Sequence, residues 1–145
     1  MLYRLLSRLD RTKFNPQVVS MIGLGPVSEK IRALGISVRS LGMSQGMPNP
    51  LALLKLVRWL QCDKPDVIQT WMYHADLLGG LAARLAGGIP VSWGIRHSDL
   101  SLEGNRKLTL LTVKACAPIS RWFPTKIVCC SEASREVHAA VGYAT

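Results

Sequence analysis

The chain has 145 residues, 48% of them hydrophobic and 19% charged, and a formal net charge of +9. That length suits one domain with a substantial core, and the composition excludes a disordered chain. Charge or glycine interrupts each apolar stretch within about ten residues, well short of the ~20 that a membrane-spanning helix needs.

The N-terminus spreads Arg4, Arg8, Arg11 and Lys13 among its leucines rather than ahead of an apolar run. This is not the pattern of a signal peptide, and it points to a cytoplasmic chain. The surplus of Lys and Arg suits phosphorylated substrates or anionic lipid. Nucleic acid ranks last, because there is no zinc-finger spacing, ribonucleoprotein motif or aromatic–basic interleaving. Cys62, Cys116, Cys129 and Cys130 fit no metal-site spacing and read as buried, reduced thiols.

The elements alternate along the chain. Leu2, Leu5, Leu6 and Leu9 repeat at helical spacing. Asn15-Pro16 breaks that pattern, and residues 17–22 (QVVSMI) read as a short buried strand. Ser28 is placed to cap a helix reaching Leu34, which Gly35 ends. Residues 36–41 (ISVRSL) alternate like a strand, and a Gly/Pro/Asn loop follows over 42–49. Pro50 opens a helix to about Cys62, with Leu51, Leu54, Val57 and Leu60 on one face.

The second half repeats the plan. A strand over 66–70 (DVIQT) leads to a Leu/Ala/Gly-rich helix over 73–86. A strand over 89–95 (IPVSWGI) leads through a polar loop, 96–105, to a helical stretch over 106–123 that Pro118 bends or ends. The last strand is 126–130 (KIVCC), and Ser131 starts a helix to about Val141. Strands joined by helices of this length imply parallel pairing. The expected fold is a Rossmann-like three-layer α/β/α domain with a mostly parallel sheet. Both ends read as cut: the chain opens in a helix where a doubly wound half-domain starts with a strand and a Gly-rich turn. The first strand is therefore expected to be missing.

Residues 64–87, KPDVIQTWMYHADLLGGLAARLAG, resemble the N-terminal domain of the family 4 glycosyltransferases. That family's line has Pro-Asp-Val-Val/Ile, a His/Thr-rich strand end, and a helix like His-Ala-x-Leu-Leu-Gly-x-Leu-Ala-Ala-Arg-Leu-Ala-Gly. Three more stretches are similar in the same order: Gly35-Ile36-Ser37-Val38, residues 90–99 (PVSWGIRHSD), and residues 126–132 (KIVCCSE).

The resemblance implies the acceptor-side half of a GT-B fold. The enzyme would transfer a sugar from a nucleotide-sugar donor to a glycan or lipid acceptor, with retention and with neither metal nor cofactor. It also implies that the C-terminal donor-binding domain, with its Glu-x7-Glu motif, is absent, so that the chain alone is inactive. The non-enzyme alternative is a stand-alone module that binds a glycan or lipid acceptor, or one half of a split enzyme. A nucleotide-sugar epimerase is a weaker reading, because its Gly-rich start and catalytic carboxylates are not found.

In a doubly wound sheet, ligands sit outside the carboxyl ends of the strands. Three loops fall there: 70–74, 95–99 and 131–132. His97 is the sharpest candidate for catalysis, since a family His near this strand end lies close to the reacting sugar. Arg96 is the alternative if the match shifts by one residue. Imidazole can donate to a sugar hydroxyl or move a proton near neutral pH, and guanidinium can grip a phosphate as a fork. His74, Asp99, Thr70, Ser131 and Glu132 are the acceptor- or donor-binding candidates.

The bland readings stand beside these. The 95–99 loop is simply solvated, His74 caps or packs, Asp76 favours the helix dipole, and Ser131-Glu132 is a helix cap. His138 reads as ordinary surface. Lys107, Lys114 and Arg121 recur every seven residues. They form a stripe suited to peripheral contact with an anionic membrane at its inner face, or, more commonly, a solvated face.

Overall fold

The computed structural model describes residues 1–44, 49–96 and 107–145. The chain divides into two compact units, Met1–Ala52 and Leu53–Thr145. The fold is α/β with parallel strands, as the alternating pattern implies, and among the described residues five strands form one two-stranded and one three-stranded sheet.

In the first unit, β1 (Gln17–Ser20) pairs in parallel with β2 (Ser37–Ser40), in register from Gln17 opposite Ser37 to Ser20 opposite Ser40. Helix α1 (Leu2–Leu6) and helix α2 (Pro26–Arg32) accompany them. Leu6, Ile31, Ile36 and Val38 form a small core, with Leu2, Leu9, Val18 and Leu34 packed around it. Helix α2 starts earlier than Ser28 suggests. Gly25 is the N-cap and Pro26 opens the helix, where a missing N–H costs nothing, so Ser28 lies in the first turn rather than at the cap. Gly35, at φ 74°, takes the left-handed conformation that lets the chain turn into β2.

Helix α3 (Pro50–Asp63) leads to the larger sheet, ordered β3 (Ile68–Trp71), β4 (Val91–Ile95), β5 (Lys126–Cys129). Both pairings are parallel, with Ile68 opposite Val91 and Ser92 opposite Lys126. Helix α4 (Tyr73–Leu85) connects β3 to β4, α5 (Lys107–Ile119) precedes β5, and α6 (Glu132–Val141) follows it. The middle strand contributes most to the core: Val91, Trp93 and Ile95 are all within 1% of full burial.

Close packing explains the small residues of α4. A methyl on Gly79 would lie 2.6 Å from Thr70 Cγ2, and one on Gly80 would lie 2.9 Å from the Phe123 ring. A methyl on Gly94 of β4 would lie 2.8 Å from the backbone oxygen of Thr70 on β3.

Two expectations are corrected here. Helix α5 ends at Ile119 and carries Pro118 in its last turn, so Arg121 lies beyond the helix and shares no helical stripe with Lys114. All four thiols are free, but only Cys116 is buried: Cys129 is half-buried, and Cys62 and Cys130 are exposed. A strand alternates its faces, so adjacent Cys129 and Cys130 cannot both point inward.

Candidate functional site

Because β3, β4 and β5 are parallel, their carboxyl ends open on one side of the sheet. Trp71 and Met72, Ile95 and Arg96, and Cys130 and Ser131 stand there in adjacent positions. The Arg96 guanidinium lies over the Trp71 ring, 5.1 Å from its centroid. Both residues are half-buried. Attraction to the ring face holds the cation in place. Among the described residues Arg96 has no carboxylate partner. The backbone N–H of Cys130 donates to Ile95 O at 3.1 Å, and the Cys130 thiol donates to Arg96 O at 3.5 Å, tying the end of β5 to that of β4.

Met72 joins β3 to α4 with φ 83° and ψ 144°, a conformation that L side chains rarely adopt. Such a residue stores about 1–3 kcal/mol of strain, sustained by the packing around it. No side chain caps α4, although Asp76 N–H donates to Met72 O at 2.9 Å.

The other sequence-derived candidates are placed as follows. His97 and Asp99 lie outside the described residues. Thr70 is the third residue of β3 and is buried, its hydroxyl 2.5 Å from Asp76 Oδ1 and 3.2 Å from Ser92 O. His74 is exposed on the first turn of α4, with Nε2 3.4 Å from Thr112 Oγ1 on α5. Ser131 is the N-cap of α6, where Oγ accepts from Ser134 N–H at 3.1 Å. Glu132 is exposed and paired with Arg135 one turn along, and that bond lowers its pKa. The structure thus brings Arg96 and Ser131 to the carboxyl ends of neighbouring strands and turns Thr70 inward.

Two buried polar groups lie beneath this surface. Asp76 is fully buried, and its Oδ2 meets no hydrogen-bond partner among the described residues. Burial pushes its pKa up to about 7, against a smaller opposing effect of the Thr70 hydroxyl. A neutral carboxyl satisfies the group better. It can donate to Thr70 Oγ1, freeing the Thr70 hydroxyl to donate to Ser92 O. His138 is also fully buried, which corrects its reading as surface. Its Nδ1 faces Ser134 O at 2.7 Å and its Nε2 faces the Tyr73 hydroxyl at 2.8 Å. A carbonyl only accepts, so Nδ1 carries the proton and Nε2 accepts from Tyr73. Tyr73 and Tyr143 pack against the imidazole at ring-centroid distances of 5.7 and 5.1 Å. Burial pushes the Tyr73 hydroxyl and the Cys116 thiol each up to about 12, so neither ionises near neutrality.

Sequence reasoning missed Trp71, Asp76 and His138 as structured members of this region. The available signals were the four-residue spacing of Ser134 and His138 on α6, and the six-residue step from Thr70 to Asp76 across a strand–helix turn.

The family model for Glycosyltransferase Family 4 matches residues 1–145. The chain belongs to this glycosyltransferase family. No curated protein and no solved structure gives a significant match. In this family 4 domain, the stretch that carries the resemblance folds as β3 and α4, and the 90–99 stretch supplies β4 and Arg96. No helix among the described residues is long and apolar enough to cross a membrane, and no group of three or more His, Cys, Asp or Glu among them could hold a metal ion.

Proposed function

We propose that this family 4 domain supplies the acceptor side of a sugar transfer from a nucleotide-sugar donor to a glycan or lipid acceptor. The transfer proceeds with retention and without a metal, as in cell-envelope polysaccharide synthesis on the cytoplasmic face. The donor nucleotide is held by a second, C-terminal domain. One observation carries this reading: Arg96, at the carboxyl end of the central strand, is oriented by Trp71 and has no carboxylate partner among the described residues. A half-buried guanidinium without a carboxylate partner among the described residues is suited to an external phosphate. In this reading Arg96 holds a phosphate of the acceptor or donor, and His97 donates to a sugar hydroxyl or moves a proton at Nε2. His74, Asp99 and Ser131-Glu132 border the acceptor, and Thr70 supports the turn from beneath.

The test combines this domain with a family 4 donor-binding domain, supplies isotope-labelled nucleotide-sugars and a membrane extract as acceptor, and follows the product by NMR. The expected result is a glycoside with the donor's anomeric configuration, formed only when both domains are present. An inverted product contradicts the retaining mechanism. Failure of every donor in the panel contradicts the transferase reading and favours the stand-alone binding module.

A further inference from the structure

Two of the four thiols stand side by side where the larger sheet ends. The pairing of β5 with β4 stops at Cys129, opposite Ile95, and Ser131 caps α6 two residues on. Cys130 lies between, one residue beyond the ladder. Its N–H donates to Ile95 O at 3.1 Å and its thiol to Arg96 O at 3.5 Å. Cys129 is half-buried and Cys130 is exposed, as befits neighbours on an extended chain whose side chains take opposite faces. Burial raises the Cys129 thiol above its usual range, and the adjacent Cys130 adds to the effect. Cys129 therefore stays protonated near neutrality, and the exposed Cys130 is the first to meet an oxidant. The other two thiols are set apart from this pair: Cys62 is on α3, and Cys116 is buried with its thiol donating to Tyr73 O at 3.7 Å.

We infer that Cys129 and Cys130 are a redox-modification site, oxidised by hydrogen peroxide to a reversible disulfide that frees the end of β5 from the end of β4. The Cys130 thiolate attacks the peroxide. An S–O bond forms, the O–O bond breaks, and the departing hydroxide takes up a proton, leaving a sulfenic acid. The Cys129 sulfur then attacks the Cys130 sulfur. An S–S bond forms, the S–O bond breaks, and hydroxide leaves with the Cys129 proton as water. Two thiols are oxidised, and one peroxide is reduced to two waters. Thiols on opposite faces cannot touch, so the bridge closes only when Cys130 turns out of its place. That turn withdraws its N–H from Ile95 O and its sulfur from Arg96 O, while the ladder up to Cys129 is kept. Adjacent Cα atoms stand ~3.8 Å apart, closer than the ~4.4–6.8 Å of ordinary disulfides. The bridge is therefore strained and easily reduced, as a reversible switch requires. The disulfide is independent of the reading of Arg96 as a phosphate ligand.

The test treats the chain carrying Cys62→Ser with hydrogen peroxide, maps its thiols by mass spectrometry and follows exchange of the Cys130 amide by NMR. Cleavage after Lys126 and Arg135 releases residues 127–135, which hold both thiols. That peptide is expected to lose two hydrogens in mass, and dithiothreitol restores them. The Cys130 amide exchanges at least about tenfold faster in the oxidised chain and recovers on reduction. Cys129→Ser, treated alike, gains oxygen at Cys130 and forms no internal bridge. Circular dichroism melts establish that each variant is folded. Oxygen added at Cys130 with Cys129 present, without loss of the two hydrogens, overturns the assignment. So does a bridge between two copies of the chain, or an internal disulfide that leaves exchange of the Cys130 amide unchanged.

Discussion

Replacing Asp76 by Asn stabilises this protein, by an amount that depends on pH. The Asp76 carboxyl is fully buried, one oxygen lacks a partner among the described residues, and its pKa rises from 3.8 to about 7 in the fold. The raised value fixes the sign. The folded state binds the proton more tightly than the unfolded chain, so stability from this group is fully present below pH ~4 and is lost as pH rises through ~7. That rise in pKa corresponds to about 4 kcal/mol. Asn has the shape of the neutral acid. Its amide can donate to Thr70 Oγ1 and leave the Thr70 hydroxyl to Ser92 O. Asp76→Asn therefore matches the parent within about 1 kcal/mol at pH 4 and exceeds it by about 3–4 kcal/mol at pH 8. Urea unfolding of both proteins at half-unit steps from pH 4 to 8.5 measures the difference. A difference that stays flat with pH, or an Asn variant less stable at pH 8, would refute the account of a neutral buried carboxyl.

Gly94→Ala loses about 3 kcal/mol, the upper end of overpacking costs, because the new methyl meets a backbone oxygen of β3 that cannot rotate away; chemical denaturation measures it. His138→Ala loses about 3 kcal/mol or more, through a cavity beneath α6 and the loss of its contacts with the Tyr73 hydroxyl and Ser134 O. A surface histidine would change stability by less than about 0.5 kcal/mol, so a thermal melt separates the two cases.

The strands and their parallel pairing are legible in the sequence because they depend on local pattern. Residues 91–95 form a short apolar run between turn signals, and α4 shows the Gly/Ala density that close packing on β3 demands. Element ends shifted by one to four residues, as at Ile119, where α5 ends short of the expected 123, and at Pro26, which starts α2 ahead of the Ser28 signal.

Burial of particular polar side chains was not legible, since it depends on partners far along the chain. Tyr73 and His138 are 65 residues apart, and nothing local to α6 distinguishes a buried imidazole from an exposed one. The contact between Arg96 and Trp71 requires the register that sets Trp71 opposite Gly94, which no single segment encodes. The placement of candidate residues at strand ends followed from topology alone. The inward turn of Thr70 reflects β3 continuing through Trp71 before the helix begins.

The central claim is that the carboxyl end of β4 faces the reacting groups. Initial rates of sugar transfer at saturating donor, measured on Arg96→Ala and His97→Ala beside a thermal melt of each, test it most directly. Loss of one preorganised contact to developing charge costs about 2.7–4 kcal/mol of barrier. The account predicts that at least one of the two variants falls tenfold or more in turnover, a loss of at least about 1.4 kcal/mol, while melting close to the parent. If both variants keep turnover within about twofold while folded, that barrier contribution is absent and the reacting groups lie elsewhere.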